Sequence, residues 1–177
     1  MAEMAKNRIV LITGDGKGKT TSALGMVLRA VGHGQRACVL HFIKRRGDTG
    51  ESHALAMLPG VEVHLCGEGF VLEKAGPAFG RHVLAAEKGL RLAAEKLRDP
   101  AFGMVVLDEV CGAVAYGLLS AEAVCAAVAG AAPATTVVLT GRDACPALVG
   151  LADTVSNIAC VKHGMERGWP AQPGVEL

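Results

Sequence analysis

Net charge is almost missing from this 177-residue chain: 18 Lys and Arg stand against 17 Asp and Glu. That balance excludes a general attraction to nucleic acid or to an anionic membrane. Only Lys44-Arg45-Arg46 is locally basic, too short a run for a nucleic-acid footprint. Aromatics are scarce as well, at 3% against 51% hydrophobic residues, so Ala, Val, Leu and Gly must build the core. Such a composition suits a parallel sheet buried on both faces by alanine-rich helices. No apolar run reaches membrane-spanning length, and the first eight residues hold no apolar stretch of signal-peptide kind. A cytoplasmic protein is therefore expected. The cysteines at 38, 66, 111, 125, 145 and 160 form no C-x-x-C pair. Their spacing argues against a zinc site, and they read as small buried hydrophobes. Repeats and low-complexity linkers are absent, and the length fits a single domain over 1–177.

What the chain does have is Gly14-Asp15-Gly16-Lys17-Gly18-Lys19-Thr20-Thr21, set between an apolar strand at 9–12 and a helix starting near Lys19. Glycines let successive N–H groups turn inward around an anion, and the helix N-terminus adds partial positive charge there. Lys19 can reach phosphate oxygens, and the Thr20 hydroxyl suits a magnesium ion. The usual phosphate-loop pattern asks for glycine at position 13, where this chain has Thr13, and a second lysine, Lys17, lies within the loop. A nucleoside triphosphate is the expected ligand.

Strand-like and helix-like runs then alternate. Strands are expected at 37–43, 61–65 (alternating in and out), 104–107, 136–140 and 154–161. Helices are expected near 52–58, over 77–98 and 121–129, and near 146–151, before an irregular tail. The alternation predicts a doubly wound, mainly parallel α/β sheet of about six strands with helices on both faces, of the P-loop (RecA-like) kind. In such a sheet the C-terminal strand ends share one edge, where ligands bind. The residues there are the loop 14–21, Lys44-Arg45-Arg46, 67–70, Asp108-Glu109, Thr140-Gly141-Arg142 and Lys162-His163, nearly all polar, charged or glycine.

Asp108 ends an apolar strand, as the second magnesium-side acid of P-loop proteins does, and can act with Thr20 directly or through water. Glu109 reads either as a further metal ligand or as a base for water. Arg142 can pair with phosphate oxygens. Lys44 can face phosphate, a substrate carboxylate or solvent. Asp153 can cap a turn or bind ribose, and His163 reads more readily as a structural histidine than as a catalyst.

Together with Arg29-Ala30-Val31-Gly32-His33-Gly34, Phe42-Ile43-Lys44, Val105-Val106-Leu107-Asp108-Glu109, Thr140-Gly141-Arg142, Leu151-Ala152-Asp153-Thr154-Val155-Ser156, Val161-Lys162-His163 and Gly174-Val175-Glu176, the loop resembles the ATP:corrinoid adenosyltransferases of cobalamin synthesis. The resemblance covers almost the whole chain and includes the double-lysine loop with Thr13. It implies transfer of the 5′-deoxyadenosyl group of ATP to Co(I) of a corrinoid, with release of tripolyphosphate. Under that reading Gly14, Asp15, Gly16, Lys17, Gly18, Lys19, Thr20, Thr21, Lys44 and Arg142 bind ATP, and Lys17, Lys19 and Arg142 carry the chemistry. Thr20, Asp108 and Glu109 would serve Mg2+ (or Mn2+). The resemblance further implies a reduced flavoprotein as electron donor and a homodimer. Family members can carry Gly-Phe-x-Trp-Glu after the third strand to shield the lower cobalt face. Here the stretch is Gly69-Phe70-Val71-Leu72-Glu73, which assigns Phe70, Leu72 and Glu73 to the corrinoid, with leucine in place of the second aromatic.

The residues alone leave two other functions open. A RecA-like ATPase or kinase would use Glu109 to activate water or a hydroxyl and release ADP. A nucleotide-dependent switch would turn over slowly and change shape with a partner.

Overall fold

A strand covered on both faces is apolar at successive positions, and Met104, Val105, Val106 and Leu107 fill the centre of β4 (Phe102–Asp108) in that way. The computed structural model describes residues 7–45, 49–71 and 74–175. In it β4 joins β1 (Arg8–Thr13), β2 (Arg36–His41), β3 (Val61–Leu65), β5 (Thr136–Thr140) and β6 (Thr154–Asn157) in one sheet. The strand order is β3-β2-β4-β5-β1-β6 and every pairing is parallel.

Two apolar layers cover the sheet. On one face α1 (Lys19–Gly32) and α2 (Gly50–Ala56) set Ala23, Val27, Ala30 and Leu55 against Ile12, Val39, Val106 and Val138. On the other lie α3 (Gly76–Arg98), α4 (Val110–Ala115), α5 (Ala121–Ala129) and α6 (Pro146–Leu151). Their Ala93, Leu97, Val110, Val124 and Leu148 meet Leu11, Leu40, Leu107 and Leu139. Alternate residues of each central strand thus serve opposite layers. α3 begins with Pro at its first turn and α5 is capped by Ser120, whose hydroxyl accepts from the Ala123 N–H at 3.1 Å.

Several sequence expectations shift. β2 ends at His41 rather than 43, because the chain leaves the sheet after the Phe42 N–H bonds the Asp108 carbonyl at 3.0 Å. β6 ends at Asn157 rather than 161. Beyond it, Ile158 turns beneath the phosphate loop and its carbonyl accepts from the Gly16 N–H at 2.7 Å. α4 and a 3-10 turn at Gly164–Arg167 are additions, both too short to carry a periodic signal. In the edge strand β3, Val61 and Val63 pack on the α1/α2 layer, yet Val61, Glu62, Val63 and His64 are all half-buried, without a clean alternation. Of the cysteines only Cys38, Cys66 and Cys111 are buried; Cys125 and Cys145 are half-buried and Cys160 is exposed, all as free thiols.

Cys38, Glu62 and His64 bring ligand-type atoms within 4.8 Å of one another. Arg36 and Lys96 already hold the Glu62 carboxylate, so the cluster is a neutralised ion network rather than a cation seat. No helix among the described residues is long and apolar enough to cross a membrane.

Leu107 is fully buried between layers, so Leu107→Ala should lower the unfolding free energy by about 2–5 kcal/mol. Val155→Ala, on the exposed strand β6, should change it by less than about 1 kcal/mol. Urea titration of both variants checks the pair.

Candidate active site

Gly14 and Gly18 hold φ values of 102° and 116°, which side chains rarely adopt. Gly16 is required for another reason: a Cβ there would lie 2.6 Å from the Ala159 carbonyl oxygen. The loop therefore rests on the chain leaving β6. Thr13, by contrast, is the last residue of β1 and pairs in register with Asn157, an extended setting that suits a β-branched side chain. Glycine is not needed there, which accounts for the departure from the usual pattern.

The loop opens onto a cavity of about 910 Å³ at the C-terminal edge of the sheet. Asp15, Gly16, Lys17, Gly18, Lys19, Thr20, Thr21, Lys44, Glu109, Arg142 and His163 line its polar side. Leu24 and Leu28 of α1, Leu55, Met57 and Leu58 of the α2 region, and Val175 add apolar lining. Four strand ends and the tail thus meet where the sequence predicts a shared edge. Lys19 is buried, and its Nζ donates to the carbonyls of Gly14 at 2.7 Å and Gly16 at 2.8 Å. Burial pulls its pKa below the ordinary lysine value, with Glu109 opposing and Arg142 adding to the fall. Lys44 forms an ion pair with Glu51 of α2, a partner that the sequence reading did not supply.

Asp108 is fully buried. Its Oδ1 accepts from the Thr20 hydroxyl at 2.8 Å and the Thr140 hydroxyl at 2.7 Å, and its Oδ2 meets His41 Nδ1 at 2.7 Å. Burial alone would raise its pKa, but the His41 bond and charge, then the two hydroxyls, hold the carboxyl below the usual aspartate range. Both oxygens are taken by protein donors, so Thr20 stands between Asp108 and the cavity. Neither His41 nor the hub role of Thr140 is singled out by the sequence. The one signal was a histidine closing an otherwise apolar strand.

Glu109 sits at φ 60° and ψ 21°, the left-handed region, where non-glycine residues are uncommon. Its N–H donates to Thr140 Oγ1 at 2.9 Å, which holds that turn. Burial, then the neighbouring Asp108 charge, raise its pKa against the pull of Lys19, Arg142 and Lys44. Arg142 reaches the cavity because Gly141, at φ 137°, packs where a Cβ would lie 2.8 Å from the Gly112 nitrogen. His163 lines the cavity while its Nδ1 accepts from the Met165 N–H at 3.2 Å. Of the two readings left open for Asp153, the structure favours the local one: its carboxylate accepts from the Ile9 N–H at 2.9 Å, at the opposite end of the sheet from the cavity.

Phe70 is 87% exposed and is not part of the cavity lining. It follows Gly69, whose N–H donates to the Ile43 carbonyl at 2.9 Å, so its loop is tied to the segment carrying Lys44. Leu72 and Glu73, expected at the corrinoid, lie outside the described residues, as do Arg46 and Glu176. Thr20 and Glu109 offer hydroxyl and carboxylate oxygens, a donor set that fits Mg2+ or Mn2+ beside phosphate.

A strand–glycine loop–helix with a buried acid at the end of β4, one strand removed from β1, defines a P-loop α/β nucleotide-binding enzyme. The family model for ATP:corrinoid adenosyltransferase BtuR/CobO/CobP matches residues 5–177. The chain is 41% identical to the corrinoid adenosyltransferase of Pseudomonas aeruginosa, over 100% of this chain and 88% of that protein. It is 38% identical to corrinoid adenosyltransferase CobA of Salmonella typhimurium, over 99% and 88%. Identity to the Escherichia coli K12 corrinoid adenosyltransferase is 37%, again over 99% and 88%. The chain belongs to the ATP:corrinoid adenosyltransferase family.

The two acids should respond oppositely to pH. Folding raises the Glu109 pKa, so its contribution to stability is fully present below about pH 4 and is lost as pH rises through the folded value. Glu109→Gln should therefore raise the Tm of the ligand-free protein at pH 8, with the gain shrinking toward pH 4. Folding lowers the Asp108 pKa, so its stabilisation is present above about pH 4 and fades as pH falls through the folded value. Asp108→Asn should lower Tm at pH 7 and converge on the parent in acid. Thermal melts across pH check both signs.

Proposed function

We propose that this chain transfers the 5′-deoxyadenosyl group of ATP to the Co(I) centre of a corrinoid, releasing tripolyphosphate, in adenosylcobalamin synthesis or salvage. The observation that carries the reading is the family match along residues 5–177, set beside a cavity lined by Lys17, Lys19, Lys44 and Arg142 together with apolar side chains. In the reaction the Co(I) electron pair forms a bond to the 5′-carbon. The carbon–oxygen bond breaks, its electron pair leaves with the triphosphate, and cobalt becomes Co(III). Such a nucleophile carries no proton, so no general base is needed; the site must align carbon with cobalt and neutralise the leaving group.

Under this reading the loop from Gly14 to Thr21 holds the triphosphate, and Lys17, Lys19 and Arg142 stabilise the charge that builds on it. Lys44 can exchange its Glu51 partner for a phosphate oxygen. Thr20 and Glu109 would hold Mg2+ or Mn2+, with Asp108 acting through Thr20. When bound, that cation would supply further charge neutralisation on the triphosphate. Phe70, Leu72 and Glu73 would cover the corrinoid, the exposed Phe70 ring packing on the lower cobalt face. A single domain would carry the reaction in the cytoplasm as a homodimer, with a reduced flavoprotein delivering the electron to Co(II).

Lys19→Ala and Thr20→Ala should each lower turnover by about two orders of magnitude at saturating ATP. Product analysis with ATP and chemically reduced corrinoid should find tripolyphosphate; near-parental rates in both variants would overturn the assignment. A second reading, ATP hydrolysis, draws on Glu109, whose raised pKa suits a base facing water. Rapid ADP release without corrinoid, abolished in Glu109→Gln, would favour it.

The exposure of Phe70 yields a further test. Phe70→Ala should open the lower face, hindering reduction of Co(II). Transfer starting from Co(II) should fall steeply, whereas transfer from prepared Co(I) should lose far less. Electron paramagnetic resonance of Co(II) bound with ATP should show the four-coordinate signal diminished; an unchanged signal would place the shielding elsewhere.

A further inference from the structure

The geometry points to His41 as the positioning residue of the cation site: it holds Asp108 in the rotation that directs the Thr20 hydroxyl. This rests on the reading above that Thr20 meets a divalent cation. His41 closes β2 and pairs in register with Asp108, which closes β4. Their side chains are 0% and 1% exposed, with Nδ1 2.7 Å from Oδ2. An ionised carboxylate can only accept, so Nδ1 carries the hydrogen and donates. Oδ1 is engaged by Thr20 and Thr140, which leaves Oδ2 to His41.

Two consequences follow at the cavity. A Thr20 hydroxyl that spends its hydrogen on Asp108 leaves oxygen lone pairs for a cation. Thr140, donating to the same Oδ1, keeps its own lone pair for the Glu109 N–H and so supports the left-handed turn of Glu109. One imidazole thus steadies both oxygen donors on the cation-facing side. The other ring nitrogen marks this as more than packing. Nε2 of His41 is buried with no hydrogen-bond partner among the described residues. An apolar side chain would avoid that unsatisfied group, so the imidazole is explained by what Nδ1 does.

The test compares two substitutions in the full chain. His41→Leu fills most of the space without a donor. His41→Asn places an amide N–H near the position of Nδ1 but leaves a void, so on packing alone it should be the worse of the two. Mn2+ binding in the presence of ATP, without corrinoid, is read from the loss of the free-ion electron paramagnetic resonance signal. His41→Leu should weaken Mn2+ by about 10-fold or more, in line with loss of an outer-shell partner. ATP binding measured in EDTA should stay near the parental value. His41→Asn should recover most of the Mn2+ affinity despite a lower Tm. Parental Mn2+ affinity in His41→Leu, or equal weakness in both variants, would overturn the inference. His41→Ala replaces the leucine variant if that one does not fold. Thr20→Ala in the same assay separates the two levels. If it weakens Mn2+ while His41→Leu does not, only the role of His41 falls; if neither weakens Mn2+, the Thr20 reading falls with it.

Discussion

The buried carboxylate of Asp108 is the constraint on which the polar edge of this sheet depends. An ionised carboxylate removed from water is costly unless donors replace its hydration. Here the replacements come from three separate elements: Thr20 from α1, His41 from β2 and Thr140 from β5. Each bond to a charged group contributes about 1.5–3 kcal/mol, but only while the elements keep their registry. The start of the phosphate-loop helix is thereby clamped to the end of β4, and β2 and β5 are held beside it. Thr140 extends the clamp to the Glu109 backbone.

A second constraint acts from below the loop. The chain leaving β6 runs so close beneath Gly14 and Gly16 that side chains at either position would meet its backbone. The loop is fixed by this floor as well as by its own glycines. That explains why β6 stops early: a strand continued through Ile158 could not turn under the loop to accept from Gly16. The geometry of the loop and the length of β6 are one choice here.

Features encoded by local pattern were legible in the sequence. The apolar runs of β4 and β5, the capped and periodic α5 and α3, and the glycine loop all announce themselves within a few residues. The polar lining from Lys44, Glu109, Arg142 and His163 follows once the strands are taken as parallel, because a parallel sheet gathers its strand ends. What the sequence could not show depends on partners distant along the chain. His41 reads as one more residue of an apolar strand until β2 and β4 are paired. Asp153 stands among motif residues, yet the direction of β6 carries it to the far end of the sheet. α4 is six residues long and follows a left-handed Glu109 that tertiary bonds impose, so no helical period could reveal it.

The charges in the cavity are poised rather than settled. Lys19 is pulled down by burial and Arg142, while Glu109 is pushed up by burial and Asp108. A polyphosphate arriving alone would relieve Lys19 but push Glu109 further from its ionised form. A divalent cation arriving alone would suit Glu109 but would itself repel Lys19 and Arg142. Anion and cation together would satisfy both groups, which under the proposed function is what a metal–nucleotide complex would supply. In the same cavity Leu28 and Met57 are 59% and 78% exposed, an uncharged surface that the proposed function would give to the nucleoside end of the substrate. Cationic and apolar side chains lining one cavity suit alkyl transfer from a nucleotide, where the leaving charge must be absorbed close to a reacting carbon that needs no charged partner.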